Sequence, residues 1–204
     1  MSRPTKEQLG ISTKEALDYG LSPSNTAAAN NTAFEAIIAA NISGDVHSVN
    51  IPAGVYNFAG DIDLDGVDGL TIEGELSKTI FRIDDDLGIF NTRVQGNIVK
   101  NLQVKKIRFE NVHTDAGSDH LVNAGHFFFG GGQLENVLIE DCYFTGSGVD
   151  LNGFKTANAG ETTVEGQPFV RYNRNITIRR CQFVNLGRMG IEMIGTDPLF
   201  EFSS

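Results

Sequence analysis

The chain has no tryptophan, only two cysteines and no apolar run of membrane length. Two cysteines, Cys142 and Cys181, are too few for the disulfide framework of a small secreted domain. The polar N-terminus, MSRPTKEQLG, has none of the features of a signal peptide. Basic residues are in deficit, because 16 Lys and Arg stand against 26 Asp and Glu, which gives a net charge of −10. We therefore expect no membrane insertion and no nucleic-acid partner.

Apolar residues and glycine are well represented. Apolar residues make up 40% of the 204 positions, which is enough for one domain with its own core. The 23 glycines suit a β protein with many turns.

Four segments of the chain repeat nearly the same pattern at intervals of roughly 30 to 40 residues. They are GLTIEGELSKTIF from Gly69, NLQVKKIRF from Asn101, NVLIEDCYF from Asn136 and NITIRRCQF from Asn175. The last three share one template: Asn, apolar, any residue, apolar, two polar residues, Ile or Cys, any residue, Phe. Alternation with period two indicates strands rather than helices. Stacked repeats of strands predict a β-helix with three strands in each turn.

Stacking of the repeats places equivalent residues about 4.8 Å apart, so each template position becomes a column. Two columns face inward: Cys142 and Cys181 continue from Ile107 as free thiols that act as small hydrophobes, and the phenylalanines form an aromatic stack. Two outward columns alternate in charge, which predicts a structural role through cross-strand pairing. The aromatic column consists of Phe109, Phe144 and Phe183. The two outward columns consist of Glu73, Lys105, Glu140 and Arg179, and of Gly74, Lys106, Asp141 and Arg180.

A helix is predicted at Thr32–Ala40, with Thr32 and Glu35 as a capping box. It would cover the open end of the first turn, where bare strand edges invite pairing. The predicted organisation is an N-terminal extension (1–24), the capping helix and a linker (25–48), and the β-helix (49–204). The C-terminal end shows no such cap, so we expect either a longer β-helix or a partner chain that covers this end.

The segment NTAFEAIIAAN, followed by VNIPAGVY, resembles the opening of the pectate-lyase-like (pectin-lyase-like) superfamily, particularly phage tailspikes and related polysaccharide-degrading proteins. The resemblance covers roughly residues 18–195. It implies an all-β fold, a right-handed single-stranded parallel β-helix with an N-terminal capping α-helix. It also implies a homotrimeric tailspike-like protein of the virion tail or extracellular space, which binds a bacterial surface polysaccharide with or without cleaving it.

Two other functions remain open. One is a non-catalytic structural or glycan-binding β-helix of a tail or fibre. The other is a polyuronate lyase or epimerase, which would require a bound cation. The calcium-binding aspartates and arginine motif of pectate lyases are missing, as are the spaced motifs of polygalacturonases, so neither activity is carried over. No metal site and no cofactor are expected.

Two outward carboxylates are the candidate catalytic acid and base. The third strands align as Gly148–Leu151 with Gly190–Met193, which places Asp150 and Glu192 one turn apart. Carboxylates about 5 Å apart suit a retaining glycosidase, and repulsion between them would raise one pKa. Six further residues are candidates for substrate binding: Phe90 and Phe128, which could stack on sugar rings, together with His126, Asp119, His120 and Arg188.

Overall fold

The computed structural model describes residues 13–84, 88–92, 98–113, 125–130, 133–146, 151–156, 162–164, 167–169 and 173–192. In this part of the chain, strands predominate, with one α-helix, α1 (Ala27–Ile42), and one short 3-10 helix (Ala16–Tyr19). Neither of these two helices is long and apolar enough to cross a membrane.

The strands fall into three parallel sheets. Sheet 1 contains β1 (Thr13–Glu15), β2 (Ser48–Asn50), β5 (Thr71–Glu73), β8 (Ile98–Lys100), β9 (Gln103–Lys105), β12 (Gln133–Glu140) and β17 (Arg174–Arg179). Sheet 2 contains β3 (Gly54–Phe58), β6 (Thr79–Ile83), β10 (Arg108–Asn111), β13 (Tyr143–Thr145) and β18 (Gln182–Val184). Sheet 3 contains β4 (Ile62–Asp63), β7 (Phe90–Thr92), β11 (Gly125–Gly130), β14 (Leu151–Thr156) and β19 (Gly187–Glu192). A separate antiparallel pair is formed by β15 (Thr162–Val164) and β16 (Gln167–Phe169).

The chain visits the three sheets in a fixed order. It passes from sheet 1 to sheet 2 to sheet 3 first through β2, β3 and β4, and then through β5, β6 and β7. The same order recurs in β9, β10 and β11, in β12, β13 and β14, and in β17, β18 and β19. Each new strand lies parallel to the equivalent strand of the previous passage. The predicted all-β parallel fold is therefore confirmed, with three strands in each repeat.

The register of sheets 1 and 2 follows the sequence template. In sheet 1, Ile72 pairs with Val104, and Val104 in turn pairs with Ile139. In sheet 2, the rings of Phe109 and Phe144 are stacked with centroids 4.9 Å apart, and Phe144 stacks on Phe183 at 4.8 Å. The predicted aromatic column is confirmed, and its stacked rings run from one repeat to the next.

The template asparagines form a ladder at a corner of sheet 1, where Asn101 precedes β9 and where Asn136 and Asn175 lie within β12 and β17. Asn101, Asn136 and Asn175 have φ values of 53°, 55° and 53°, a left-handed conformation that asparagine tolerates better than most residues. The Nδ2 of Asn136 donates to Oδ1 of Asn101 at 3.1 Å, and Nδ2 of Asn175 donates to Oδ1 of Asn136 at 2.8 Å. This ladder explains why the template begins with asparagine.

The two cysteines are free thiols, as predicted. Cys142 is buried, and its Sγ donates to the carbonyl of Glu140 at 3.3 Å; Sγ of Cys181 donates to the carbonyl of Arg179 at the same distance. The side-chain hydrogen bond with Cys181, together with burial, raises the pKa of Cys142. Cys142 therefore stays protonated and serves as a core residue.

Helix α1 begins earlier than the sequence predicted. Its N-cap is Thr26, whose Oγ1 accepts from the backbone N of Ala29 at 3.3 Å. The capping box predicted at Thr32 and Glu35 is wrong, because Thr26 provides a cap directly before a run of alanines with high helix propensity. The buried face of the helix carries Phe34, whose ring packs against the rings of Phe58 and Phe81 in sheet 2 and of Phe90 in sheet 3.

Candidate functional site

The predicted catalytic pair depends on the alignment of the third strands, and that alignment is wrong. In the structure Glu192 of β19 is in register with Lys155 of β14, and Leu151 is in register with Gly187. The register also shifts between Leu151 and Asn152, so matching the two Gly-apolar-acid-apolar segments selected the wrong pairs. Asp150 lies outside the described residues, and the catalytic roles of Asp150 and Glu192 stay predictions.

The sugar-stacking role predicted for Phe90 is also wrong. Phe90 is 0% exposed, and its ring packs in the core at 5.3 Å from Phe34 and 6.0 Å from Phe109. Phe128 is in register with Phe90 and with Phe154. The sequence analysis placed Phe90 on the outward face of its strand, whereas the ring points inward. An error of one residue in strand register is enough to exchange the two faces.

Of the remaining predicted binding residues, two lie in described strands of sheet 3. His126 lies in β11 in register with Asn152, and Arg188 lies in β19. Asp119 and His120 lie outside the described residues. The binding roles of Phe128 and of these four residues stay predictions.

Charged residues at the corner between sheets 1 and 2 form a cluster of ion pairs. Register confirms the predicted columns, since Glu73 pairs with Lys105, and Lys105 pairs with Glu140. Two ion pairs lie within a column, Arg179 with Glu140 and Arg180 with Asp141. Two others run diagonally: Arg180 pairs with Glu140, and Nζ of Lys106 lies 2.6 Å from Oε1 of Glu73. This corner cluster consists of Glu73, Lys106, Glu140, Asp141, Arg179 and Arg180.

Backbone conformation explains the diagonal pairing. Lys106, Asp141 and Arg180 follow the sheet 1 strands with φ values of 57°, 54° and 51°. A left-handed residue turns the chain sharply, and it turns these three side chains toward the outer surface of the corner.

Two arginines hold the acids of the corner cluster in the charged form. Nε of Arg179 donates to Oε1 of Glu140 at 2.6 Å, and Arg180 donates to both Glu140 and Asp141. The hydrogen bond from Arg179 lowers the pKa of Glu140, and the hydrogen bond from Arg180 lowers the pKa of Asp141. A carboxylate with a lowered pKa is a poor general acid at neutral pH, so this cluster is structural.

The pairing of Glu140 predicts how stability depends on pH. The folded-state pKa of Glu140 lies below its ordinary value of 4.5, so its contribution to stability is present above that value and is lost as pH falls through the folded pKa. We expect the free energy of unfolding to decrease from about pH 5 toward about pH 3, and to decrease less in Glu140→Gln. Urea denaturation across this pH range measures it.

The matched control for this prediction is Glu35→Gln, because Glu35 is exposed on α1, away from the cluster. Its pH profile should follow that of the unmodified protein. A Glu140→Gln profile that also follows the unmodified protein would contradict the prediction.

A second charged group lies on the outer face of sheet 2 and was not predicted. Glu110 is only 8% exposed. Its Oε2 accepts from Nε and Nη2 of Arg82 at 3.0 and 2.7 Å, and its Oε1 lies 2.7 Å from Nη2 of Arg108. The alternation of polar and apolar residues in β6 and β10 is the signal that could have identified this group.

Next to this group, an open cleft of about 250 Å³ lies on the surface of sheet 2. Its floor includes the column Arg108, Tyr143 and Gln182, which are in register. The Arg108 guanidinium lies 5.1 Å from the centroid of the Tyr143 ring, a cation–π contact. This sheet 2 cleft is lined by Leu76, Ser77, Ile107, Arg108, Asp141, Cys142, Tyr143, Arg180 and Gln182.

One donor in the sheet 2 cleft lacks an acceptor. Nε of Arg108 is buried, and within the described residues it has no hydrogen-bond partner. Buried donors are normally satisfied by protein, water or ligand. The described residues contain no group of three His, Cys, Asp or Glu side chains that could hold a metal ion. The cleft offers a ligand the hydrogen-bond donors of Arg108 and the ring of Tyr143.

Comparison with protein-family models, with curated proteins and with solved structures found no match for this chain.

Proposed function

We propose that this chain is a phage tailspike-like protein that binds a bacterial surface polysaccharide, and that its sheets wind as a right-handed, single-stranded parallel β-helix capped by α1. The observation that supports this most is the fixed order of three parallel sheets with equivalent strands in register. Stacked repeats give extended outer faces with a regular spacing, which suit a long polymer. In this proposal the protein acts in the virion tail or outside the cell, as a homotrimer or within a longer chain.

The residues that carry the sequence resemblance support the fold part of the proposal. Ile51 and Tyr56 of the IPAGVY segment are buried, and the Tyr56 hydroxyl donates to the carbonyl of Pro52 at 3.0 Å. Thr79 of β6 donates to the carbonyl of Ile51 at 3.0 Å. These residues connect α1 to the first passage through the sheets, so their role is structural.

The ion-paired carboxylates favour binding without cleavage as the second candidate function. Glu110, Glu140 and Asp141 all lie on the outer surface of sheets 1 and 2, and arginines pair with each of them. A catalytic acid requires a carboxyl that is protonated at working pH. In this candidate function the chain is a glycan-binding β-helix of a tail or fibre.

If the chain also cleaves the polysaccharide, Asp150 and Glu192 are the candidate residues, and each is tested by itself because the register pairs Glu192 with Lys155 and no longer supports a pair one turn apart. We expect Asp150→Asn and Glu192→Gln each to abolish the release of oligosaccharides from the polysaccharide that the protein binds. The melting temperature should change by only about 2 °C, because each amide has nearly the same size and shape as the carboxyl that it replaces. The assay incubates each variant with purified capsular polysaccharides and lipopolysaccharides and measures released oligosaccharides by mass spectrometry.

The matched control is Asp63→Asn, since Asp63 is an exposed acid at the end of β4. It should leave oligosaccharide release unchanged. Full activity in both Asp150→Asn and Glu192→Gln would refute the assignment, and polysaccharide binding without any release by the unmodified protein would establish the second candidate function.

A further inference from the structure

The residues that line the sheet 2 cleft do not include Glu192, and the proposed function assigns no ligand to this cleft. We propose that it binds one carboxylate-bearing sugar residue, with the Arg108 guanidinium as the group that recognises the carboxylate. This proposal rests on the proposed function in one respect: it takes the sugar residue to be part of a polysaccharide.

The hydrogen-bonding state of Arg108 is the first support. Its Nη2 is bonded to Oε1 of Glu110 at 2.7 Å, which anchors the guanidinium, while its Nε–H is buried without an acceptor. Arginine presents its N–H groups in a planar fork that matches a carboxylate. The Arg108 side chain is 39% exposed, so a ligand carboxylate can reach the guanidinium from the cleft, and a small rotation of the side chain on binding would bring the unpaired Nε–H to a ligand oxygen.

The walls of the cleft suit a sugar ring. The Tyr143 ring lies 5.1 Å from the guanidinium, and Leu76 on the rim is 59% exposed. These side chains offer apolar surface to the C–H groups of a sugar. Ser77 and Gln182 line the same cleft and can exchange hydrogen bonds with sugar hydroxyls.

The local charge favours an anionic sugar over a neutral one. Among the described residues around the cleft, four arginines (Arg82, Arg108, Arg179 and Arg180) pair with three carboxylates (Glu110, Glu140 and Asp141). Lys106 and Glu73 neutralise each other. The cleft therefore carries an excess of one positive charge on a chain whose net charge is −10.

The size of the cleft limits the ligand to one sugar unit. Its volume of about 250 Å³ lies just below the range of about 300–1,000 Å³ that is typical of pockets for drug-sized molecules. A longer saccharide would extend from the cleft along the outer face of sheet 2.

The test compares two sugars that differ at one group, methyl β-D-glucuronide and methyl β-D-glucoside. Because the chain has no tryptophan, the titrations are followed by ligand-observed NMR. We expect the glucuronide to bind about tenfold more tightly than the glucoside, as one charge-assisted hydrogen bond implies. This preference should disappear in Arg108→Gln and should weaken with added salt.

Two further variants separate recognition from folding. Arg108→Lys keeps the charge beside Glu110 but removes the planar fork, so it should fold and show a smaller preference for the glucuronide. Lys14→Gln removes one positive charge from β1 at the edge of sheet 1 and should leave the preference unchanged. In the unmodified protein, the Nε–H resonance of Arg108 should shift when the glucuronide is added.

Equal binding of the two sugars, or an Arg108→Gln variant with the preference intact, would overturn the proposal. Polysaccharide binding that is the same in the unmodified protein and Arg108→Gln would also overturn it, while the proposed function would stand. Arg108-dependent glucuronide binding, in a protein that binds no bacterial polysaccharide, would support the cleft and refute the proposed function.

Discussion

Replacing Phe81 by alanine is expected to lower the free energy of unfolding by about 3–5 kcal/mol. Phe81 is 0% exposed and lies in sheet 2 at the centre of the aromatic core. Its ring lies within 6.2 Å of five other rings, those of Phe34, Tyr56, Phe58, Phe90 and Phe109. Truncation would leave a cavity between α1, sheet 2 and sheet 3, and urea denaturation followed by circular dichroism measures the loss.

The control for Phe81→Ala is Val184→Ala in β18 of the same sheet. Val184 is 41% exposed, so its truncation should change the free energy of unfolding by about 0.5 kcal/mol or less. If the two variants lost similar stability, Phe81 would not occupy the buried position described.

Replacing Asn136 by alanine is expected to lower the free energy of unfolding by about 2 kcal/mol or more. Two effects add: the left-handed φ of 55° costs a residue with a Cβ about 1–2 kcal/mol, and two side-chain hydrogen bonds to Asn101 and Asn175 are lost. Asn136→Gly loses the same hydrogen bonds but tolerates the conformation. The same denaturation measurement on both variants separates the two effects.

The glycine variant should therefore be more stable than the alanine variant by about 1–2 kcal/mol. Equal stability of the two would show that the corner does not hold Asn136 in the left-handed conformation. Equal stability of both variants and the unmodified protein would show that the asparagine ladder contributes nothing.

The sequence predicted the parts of the fold that recur at a constant spacing. Phe109, Phe144 and Phe183 occupy the last template position of three repeats, and their stack follows from equal distances to the template asparagine. The short link between sheets 1 and 2 has one length in these repeats, so register is transmitted from one strand to the next.

The predicted alignment of the sheet 3 strands was wrong because the segments that precede these strands have no constant length. The segments between sheet 2 and sheet 3 differ in length from repeat to repeat, so the Gly-apolar-acid-apolar match was the only guide. A shift of register within β14 then broke the remaining pattern. The wrong alignment gave Glu192 the wrong partner. Because side chains alternate between the two faces of a strand, it also placed Phe90 on the wrong face.

The sheet 2 cleft could not be read from the sequence because its members come from four separate segments. Leu76 precedes β6, whereas Arg108, Tyr143 and Gln182 begin three later strands of sheet 2. Their polar and apolar types are ordinary for an outward strand face. What distinguishes the site is a buried Nε–H without an acceptor, which only the packed structure reveals.

The proposal that this chain binds polysaccharide is tested most directly by one binding measurement. The unmodified protein, labelled with a fluorophore, is applied to an array of purified bacterial capsular polysaccharides and lipopolysaccharides that includes acidic and neutral polymers. We predict saturable binding to one or a few acidic polymers, displaced by the same polymer in solution. Absence of binding to every polysaccharide on the array would contradict the proposed function.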